Sequence, residues 1–96
     1  MTIPSDRLRH RVFADFGEHD GARVLEDLLD IPESLPLGEG QNAERMQACV
    51  VLPAEGDYER FRSGIERLRL DWRDSLVGAG LEHAEWSRQL DRLLAP

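Results

Sequence analysis

The longest helical pattern in the chain lies between Asp57 and Leu81. Apolar residues recur there every three or four positions, which is the spacing of one helix face packed against a core. Asp57 can cap the first turn, and Gly78 and Gly80 can end the helix in a left-handed conformation. The pattern predicts a long helix over about 58–78, with a buried face made of Phe61, Ile65, Leu68, Trp72, Leu76 and Ala79.

Four shorter stretches repeat this periodicity. Ser5 and Asn42 are suitable N-caps, Gly17 can end the first of these helices, and Pro53 ends or kinks the third. The chain has no alternating runs of β-branched residues of the kind that predict strands. The sequence therefore predicts an all-α fold, a compact bundle of about five helices around the long central helix, with the others at about 5–16, 20–30, 42–52 and 83–94 and a loop at 32–41.

The predicted core combines the apolar faces of these helices. The third helix is apolar on all sides in its later part, so we expect it to be the most buried. Cys49 lies in it and is predicted to be a buried, unreactive thiol, because no basic residue shares its face. Gly64 lies beside the apolar face of the central helix and indicates a close approach by a neighbouring helix. The other predicted core residues are Leu8, Val12, Phe16, Leu25, Leu28, Met46, Val50, Trp86 and Leu90.

Length and charge narrow the class of protein. The 96 residues are enough for one modest core, so residues 1–96 are predicted to form a single helical domain. With 19 acidic and 12 basic residues the net charge is −7, which opposes attraction to nucleic acid and to anionic membranes. We expect neither as a partner. A lone cysteine, no apolar N-terminal run and no stretch long enough to span a bilayer together predict a cytoplasmic protein.

The second half of the chain contains a short series of motifs, DWRD at Asp71–Asp74, LV at 76–77, AGL at 79–81 and then Trp86. With these motifs it resembles the C-terminal half of small uncharacterised bacterial proteins. The chain departs from their pattern at Pro53, where they have an uninterrupted apolar run. The resemblance implies a helical fold and carries no activity with it.

Few residues suggest chemistry. Glu18, His19 and Asp20 follow Gly17, with His10 not far before them, but no two histidines or cysteines have the spacing of a zinc site. We interpret this segment as a polar turn in which Asp20 caps the second helix.

Three other groups of polar residues have a structural interpretation. Arg7, His10 and Arg11 form a basic cluster that we interpret as a solvated helix face. His83 shares the side of the last helix with its apolar residues, and we interpret it as a partly buried imidazole. Asp71, Arg73 and Asp74, which flank Trp72, are either an ion-pair junction between helices or ordinary solvated charges.

Two classes of function fit this sequence. The first is a small protein-interaction or regulatory module, for example of the immunity or antitoxin type, whose negative charge would suit a basic partner. The second is a small enzyme or metal binder that uses His10, His19 and nearby carboxylates. We expect the first, with another protein or a second copy of the chain as partner and with no catalytic residue, cofactor or metal.

One apolar pair marks a possible interaction surface. Leu70 and Val77 lie seven residues apart on the back of the predicted central helix, away from its core face. The favoured interpretation is that the N-terminal helix pair covers them, because small domains rarely leave a helix stripe exposed. The alternative is that they form an interface for a partner, with Arg73 and Asp74 as its polar rim.

Overall fold

A computed structural model describes residues 2–31 and 43–95 of the chain. These residues form an all-α globule of five helices, which confirms the predicted fold class; no strand occurs in the described ranges. The predicted N-cap Asn42 and the loop at 32–41 lie outside the described residues. The elements are α1 (Asp6–Leu28), α2 (Ala43–Val51), a 3₁₀ turn (Leu52–Ala54), α3 (Tyr58–Leu70), α4 (Trp72–Ala79) and α5 (Trp86–Leu93).

Helix α1 is two helical arms joined by a sharp kink at Gly17. Ser5 caps the first arm by accepting from the Leu8 N–H, as predicted. Gly17 has φ 80° and ψ 178°, a conformation essentially restricted to glycine. The kink brings Phe13 of the first arm against Gly21 of the second, where a Cβ would lie 2.8 Å from the Phe13 ring. The predicted division at Gly17 is confirmed, although the second arm begins directly after the glycine without Asp20 as its cap.

Helix α2 is the centre of the fold, because it contacts α1, α3, α4 and α5. Every residue from Arg45 to Val51 is buried, which confirms the prediction that this helix is the most buried. Pro53 lies in the 3₁₀ turn that follows, and the helix ends at Val51, within a residue of the predicted end.

The predicted continuous helix over 58–78 is wrong, and so is its central role. Asp57 caps α3 as expected, with its carboxylate accepting from the N–H groups of Glu59 and Arg60. Asp71 then adopts an extended conformation, with φ −153° and ψ 93°. Its carboxylate accepts from the N–H groups of Arg73 and Asp74 and so caps the start of α4. The 3.6-residue periodicity continues across Asp71, which is why the apolar pattern alone does not show the break.

Helix α4 ends as the glycines predict. Gly80 is left-handed, with φ 74°, and its N–H donates to the carbonyl of Val77. The N–H of Leu81 donates to the carbonyl of Leu76, and the Leu81 side chain folds back into the core. These two bonds form a Schellman motif, which turns the chain toward α5.

Charged side chains fasten α1 to the other helices. The Arg7 guanidinium binds Glu44 of α2 at 2.6 Å and Asp91 of α5 at 2.6 Å. Arg11 pairs with Asp15 and donates to the Leu93 carbonyl at the end of α5. The predicted solvated basic face is therefore wrong for Arg7 and Arg11, because both reach across to α5.

The described helices agree with the predicted core at most positions, with buried side chains from Leu8 through Leu90. The exceptions are Leu25, Trp72, Ala79 and Trp86, which are only half-buried at the edge of the core. No helix in the described ranges is long and apolar enough to cross a membrane.

Gly56 is the glycine at which we expect substitution by alanine to destabilise the fold most. Its φ is 85°, and a Cβ there would lie 2.3 Å from the Asp15 carbonyl oxygen of α1. Gly56→Ala therefore combines left-handed strain with a backbone clash, and we expect a loss of more than about 3 kcal/mol in urea melts.

Gly80→Ala is the matched control, because φ is 74° and no atom lies within 4 Å of its added Cβ. It should lose only the strain of about 1–2 kcal/mol. Equal losses for the two variants would show that the contact between Gly56 and α1 contributes nothing.

Candidate functional site

Leu70 and Val77 are large apolar side chains that the described residues leave exposed to solvent. Leu70 is 87% exposed and Val77 58% exposed. The interpretation in which the N-terminal helices cover this pair is wrong, because α1 packs on α2 and α3 elsewhere and leaves both side chains in solvent. The structure therefore leaves the alternative, an outward-facing surface.

Both residues border a groove between the end of α2 and the α3–α4 pair. The groove encloses about 680 Å³, which is in the range of small binding pockets. Cys49, Val50 and Ala54 lie on the α2 side, and Gly64 and Gly78 lie on the α3–α4 side. The two glycines keep it open, because they contribute no side chain to its wall.

The two glycines differ in what surrounds them. A Cβ on Gly64 would lie 3.8 Å from Val50, an ordinary contact, which confirms the predicted close approach of α2 and α3. No atom lies within 4 Å of a Cβ built on Gly78. The groove is thus bounded by α2 beside Gly64, and its surface is open at Gly78.

The groove carries charges of both signs. Arg60 and Arg67 of α3 line one part, and Asp71 and Asp74 at the start of α4 line another. Of the four predicted surface residues, Leu70, Val77 and Asp74 are brought together here. Arg73 does not line the groove; its guanidinium lies 5.2 Å from the centre of the Trp72 ring.

Arg60 and Arg67 were not predicted as site residues, and Gly64 was predicted only as a packing position, although a signal for all three exists. Together with Asp71, Asp74 and Gly78 they recur at a spacing of four, three, four, three and four residues, which marks one helix face. This face is polar, so apolar periodicity does not identify it. The glycine between two arginines is the feature that indicates a groove.

Cys49 is the thiol nearest the groove, and it is 3% exposed. Burial raises the pKa of its thiol to about 12, and the nearby Arg45 guanidinium lowers that pKa only in part. The expectation that no basic residue shares the face of Cys49 is therefore wrong, because Arg45 lies one helical turn earlier. Its Sγ donates to the Met46 carbonyl at 3.0 Å. The predicted burial is confirmed, and the raised pKa makes the thiol a poor nucleophile.

The residues considered for metal binding are not assembled into a site. His10 and His19 are both exposed, and the described ranges contain no group of three His, Cys, Asp or Glu residues close enough to hold an ion. His83 is 74% exposed and contacts Glu82 at 2.9 Å, so the predicted partly buried imidazole is wrong.

Arg45 and Gln47 are buried polar residues that sequence analysis also missed. Gln47 is 1% exposed and Arg45 7% exposed. Burial lowers the pKa of the Arg45 guanidinium, which still binds the Leu81 carbonyl through two nitrogens at 2.7 and 2.9 Å. Both residues hold the fold together and lie outside the groove.

The exposure of Leu70 predicts that a charge there leaves the fold intact. Leu70→Glu should change the free energy of unfolding by less than about 0.5 kcal/mol, as for other surface substitutions. Leu68→Glu, two residues earlier and fully buried, should cost more than about 4 kcal/mol because it buries an unpaired charge. Urea melts of both variants measure this, and a large loss for Leu70→Glu would mean that the side chain is covered.

The raised pKa of Cys49 predicts how its reactivity and the stability depend on pH. The folded thiol ionises near pH 12 and the unfolded thiol near 9.0, so the unfolded chain releases this proton first and stability falls as pH rises between these values. At pH 8 a disulfide reagent should modify native Cys49 at least about tenfold more slowly than in urea, because the folded thiol is buried and its thiolate is rarer. Equal rates would contradict the burial of α2.

No family model, curated protein or solved structure matches the chain. The resemblance carried by the DWRD segment and Trp86 therefore stays a prediction, and the geometry of the groove is the basis for assigning a function.

Proposed function

We propose that this protein is a protein-interaction module, without catalysis of its own, that binds its partner through the groove between α2 and the α3–α4 pair. The observation that carries the proposal is the exposure of Leu70, 87%, at the border of that groove. Immunity proteins and antitoxins are one form that such a module takes.

The apolar chemistry of the groove supports a protein partner. Large apolar side chains beside an open cavity are typical of the anchor points of protein interfaces, where a few residues carry most of the binding energy. Leu70 and Val77 provide such anchors, and the open space at Gly78 can receive a side chain of the partner. The neutral thiol of Cys49 gives no support to covalent chemistry in the groove.

The charges that line the groove restrict the kind of partner surface that can bind there. The net charge of −7 belongs to the chain as a whole, whereas the groove itself has two arginines and two aspartates. A partner surface that fits must therefore offer both signs of charge around an apolar centre. A polyanion such as nucleic acid would be repelled by Asp71 and Asp74.

Affinity capture from the source cells tests this proposal. Tagged wild-type protein should retain a partner that tagged Leu70→Glu loses, because the new carboxylate would be desolvated in the apolar centre of the interface. Ile3→Glu is the matched control: Ile3 is 78% exposed, lies outside the groove and receives the same charge change.

The captured proteins are compared by quantitative mass spectrometry, with thermal melting to show that all three baits are folded. We expect Ile3→Glu to capture the same partner as the wild type. If Leu70→Glu retains every partner that the wild type does, the groove is not the interaction surface.

A further inference from the structure

We propose that the occupant of the groove is a second copy of this chain, in an isologous dimer whose two α3–α4 pairs run antiparallel. This inference rests on the proposed function, because it names the partner of that same surface. Three features of the described residues support it: the order of the charges that line the groove, the absence of ion pairs for most of them, and the exposure of Leu70.

The charges along the groove are arranged in two halves. The basic half, Arg60 and Arg67, lies on α3, and the acidic half, Asp71 and Asp74, begins at the break between α3 and α4. Leu70 lies at the boundary between the halves. When two such surfaces meet antiparallel, each basic half faces the acidic half of the other copy, and the two Leu70 side chains meet near the axis.

Three of these charges, Arg60, Arg67 and Asp74, make no ion pair with any residue in the described ranges 2–31 and 43–95. By contrast, Arg7 and Arg11 make ion pairs at 2.6 and 3.0 Å. Arg60, Arg67 and Asp74 are thus available to a second molecule, whereas the Asp71 carboxylate also caps α4. A parallel arrangement would set like charges against each other.

The same surface also provides a projecting side chain and an open position that carries no side chain. Leu70 projects into solvent, and no atom lies within 4 Å of a Cβ built on Gly78. A two-fold interface is self-complementary, so it needs both features on the same patch. Here they lie on the border of one groove.

The net charge of −7 opposes association of two copies but does not prevent it. Repulsion between exposed charges is screened beyond about 8 Å at physiological ionic strength. The groove itself is neutral, so the surfaces in contact do not repel each other. A patch this small is typical of weak, transient interfaces, and we expect a dissociation constant of the dimer in the micromolar range.

Sedimentation equilibrium of the purified full chain tests the dimer. The wild type and Ile3→Glu should approach twice the 10.9 kDa chain mass at about 100 μM, whereas Leu70→Glu should dissociate at least roughly 30-fold more readily, the effect of losing a central anchor. A wild type that stays monomeric at about 1 mM overturns the proposal.

A charge exchange tests the antiparallel order. Arg67→Glu and Asp74→Arg should each dimerise at least about tenfold more weakly than the wild type, because each sets like charges together across the axis twice. Mixed in equal amounts, they should form a one-to-one heterodimer with near wild-type affinity, since both contacts then join opposite charges. Thermal melting checks that each variant is folded, and failure of the mixture to associate while the wild type dimerises overturns the proposal.

The two proposals fail in distinguishable ways. A monomeric wild type whose Leu70→Glu variant loses a different captured protein overturns the dimer and leaves the interaction module in place. A wild type that neither dimerises nor loses a captured partner on Leu70→Glu overturns both.

Discussion

The burial of α2 is the constraint on which the rest of the structure depends. A helix with no exposed face from Arg45 to Val51 must satisfy its polar side chains inside the protein, because an unpaired buried polar group costs about 1–3 kcal/mol. The Gln47 amide donates to the carbonyls of Thr2 and Leu28 at 3.0 and 3.1 Å. Arg45 donates to the Leu81 carbonyl and lies over the Trp86 ring at 4.9 Å. One helix thereby fixes the N-terminal segment, the end of α1 and the start of the C-terminal segment.

Arginine side chains also join the helices to one another at the surface of the protein. All 12 basic residues are arginines, whose planar, forked guanidinium can bind two acceptors at once. Arg7 uses this geometry to join Glu44 and Asp91, and its hydrogen bonds keep the pKa of the Glu44 carboxyl below its ordinary value. Helix α5, only eight residues long, is held by these polar bonds as well as by Leu90. Arg60 and Arg67, the two arginines that line the groove, take no part in this network.

Local signals in the sequence predict local structure well. Ser5 and Asp57 each cap a helix where their position after a turn residue suggests, and Gly17 and Gly80 take the positive φ that only glycine adopts readily. The break at Asp71 escapes prediction because two signals compete there. An aspartate is a good N-cap, but the apolar spacing on both sides of it also fits one straight helix. Tertiary packing of α4 on α3 and α2 decides between them, and that packing is not a local property.

The same break explains why only part of the candidate site could be predicted. In one straight helix Leu70 and Val77 would share a stripe, and a cover for that stripe is a reasonable expectation. Because the chain turns at Asp71, α4 packs against both α3 and α2, and a groove forms between the end of α2 and the α3–α4 pair. The apolar pair is visible in the sequence, but the groove exists only in the fold. The N-cap at Asp71 therefore determines more than the start of a helix. It places the acidic side chains at the start of α4 beside the basic ones of α3, and it leaves Leu70 exposed between them.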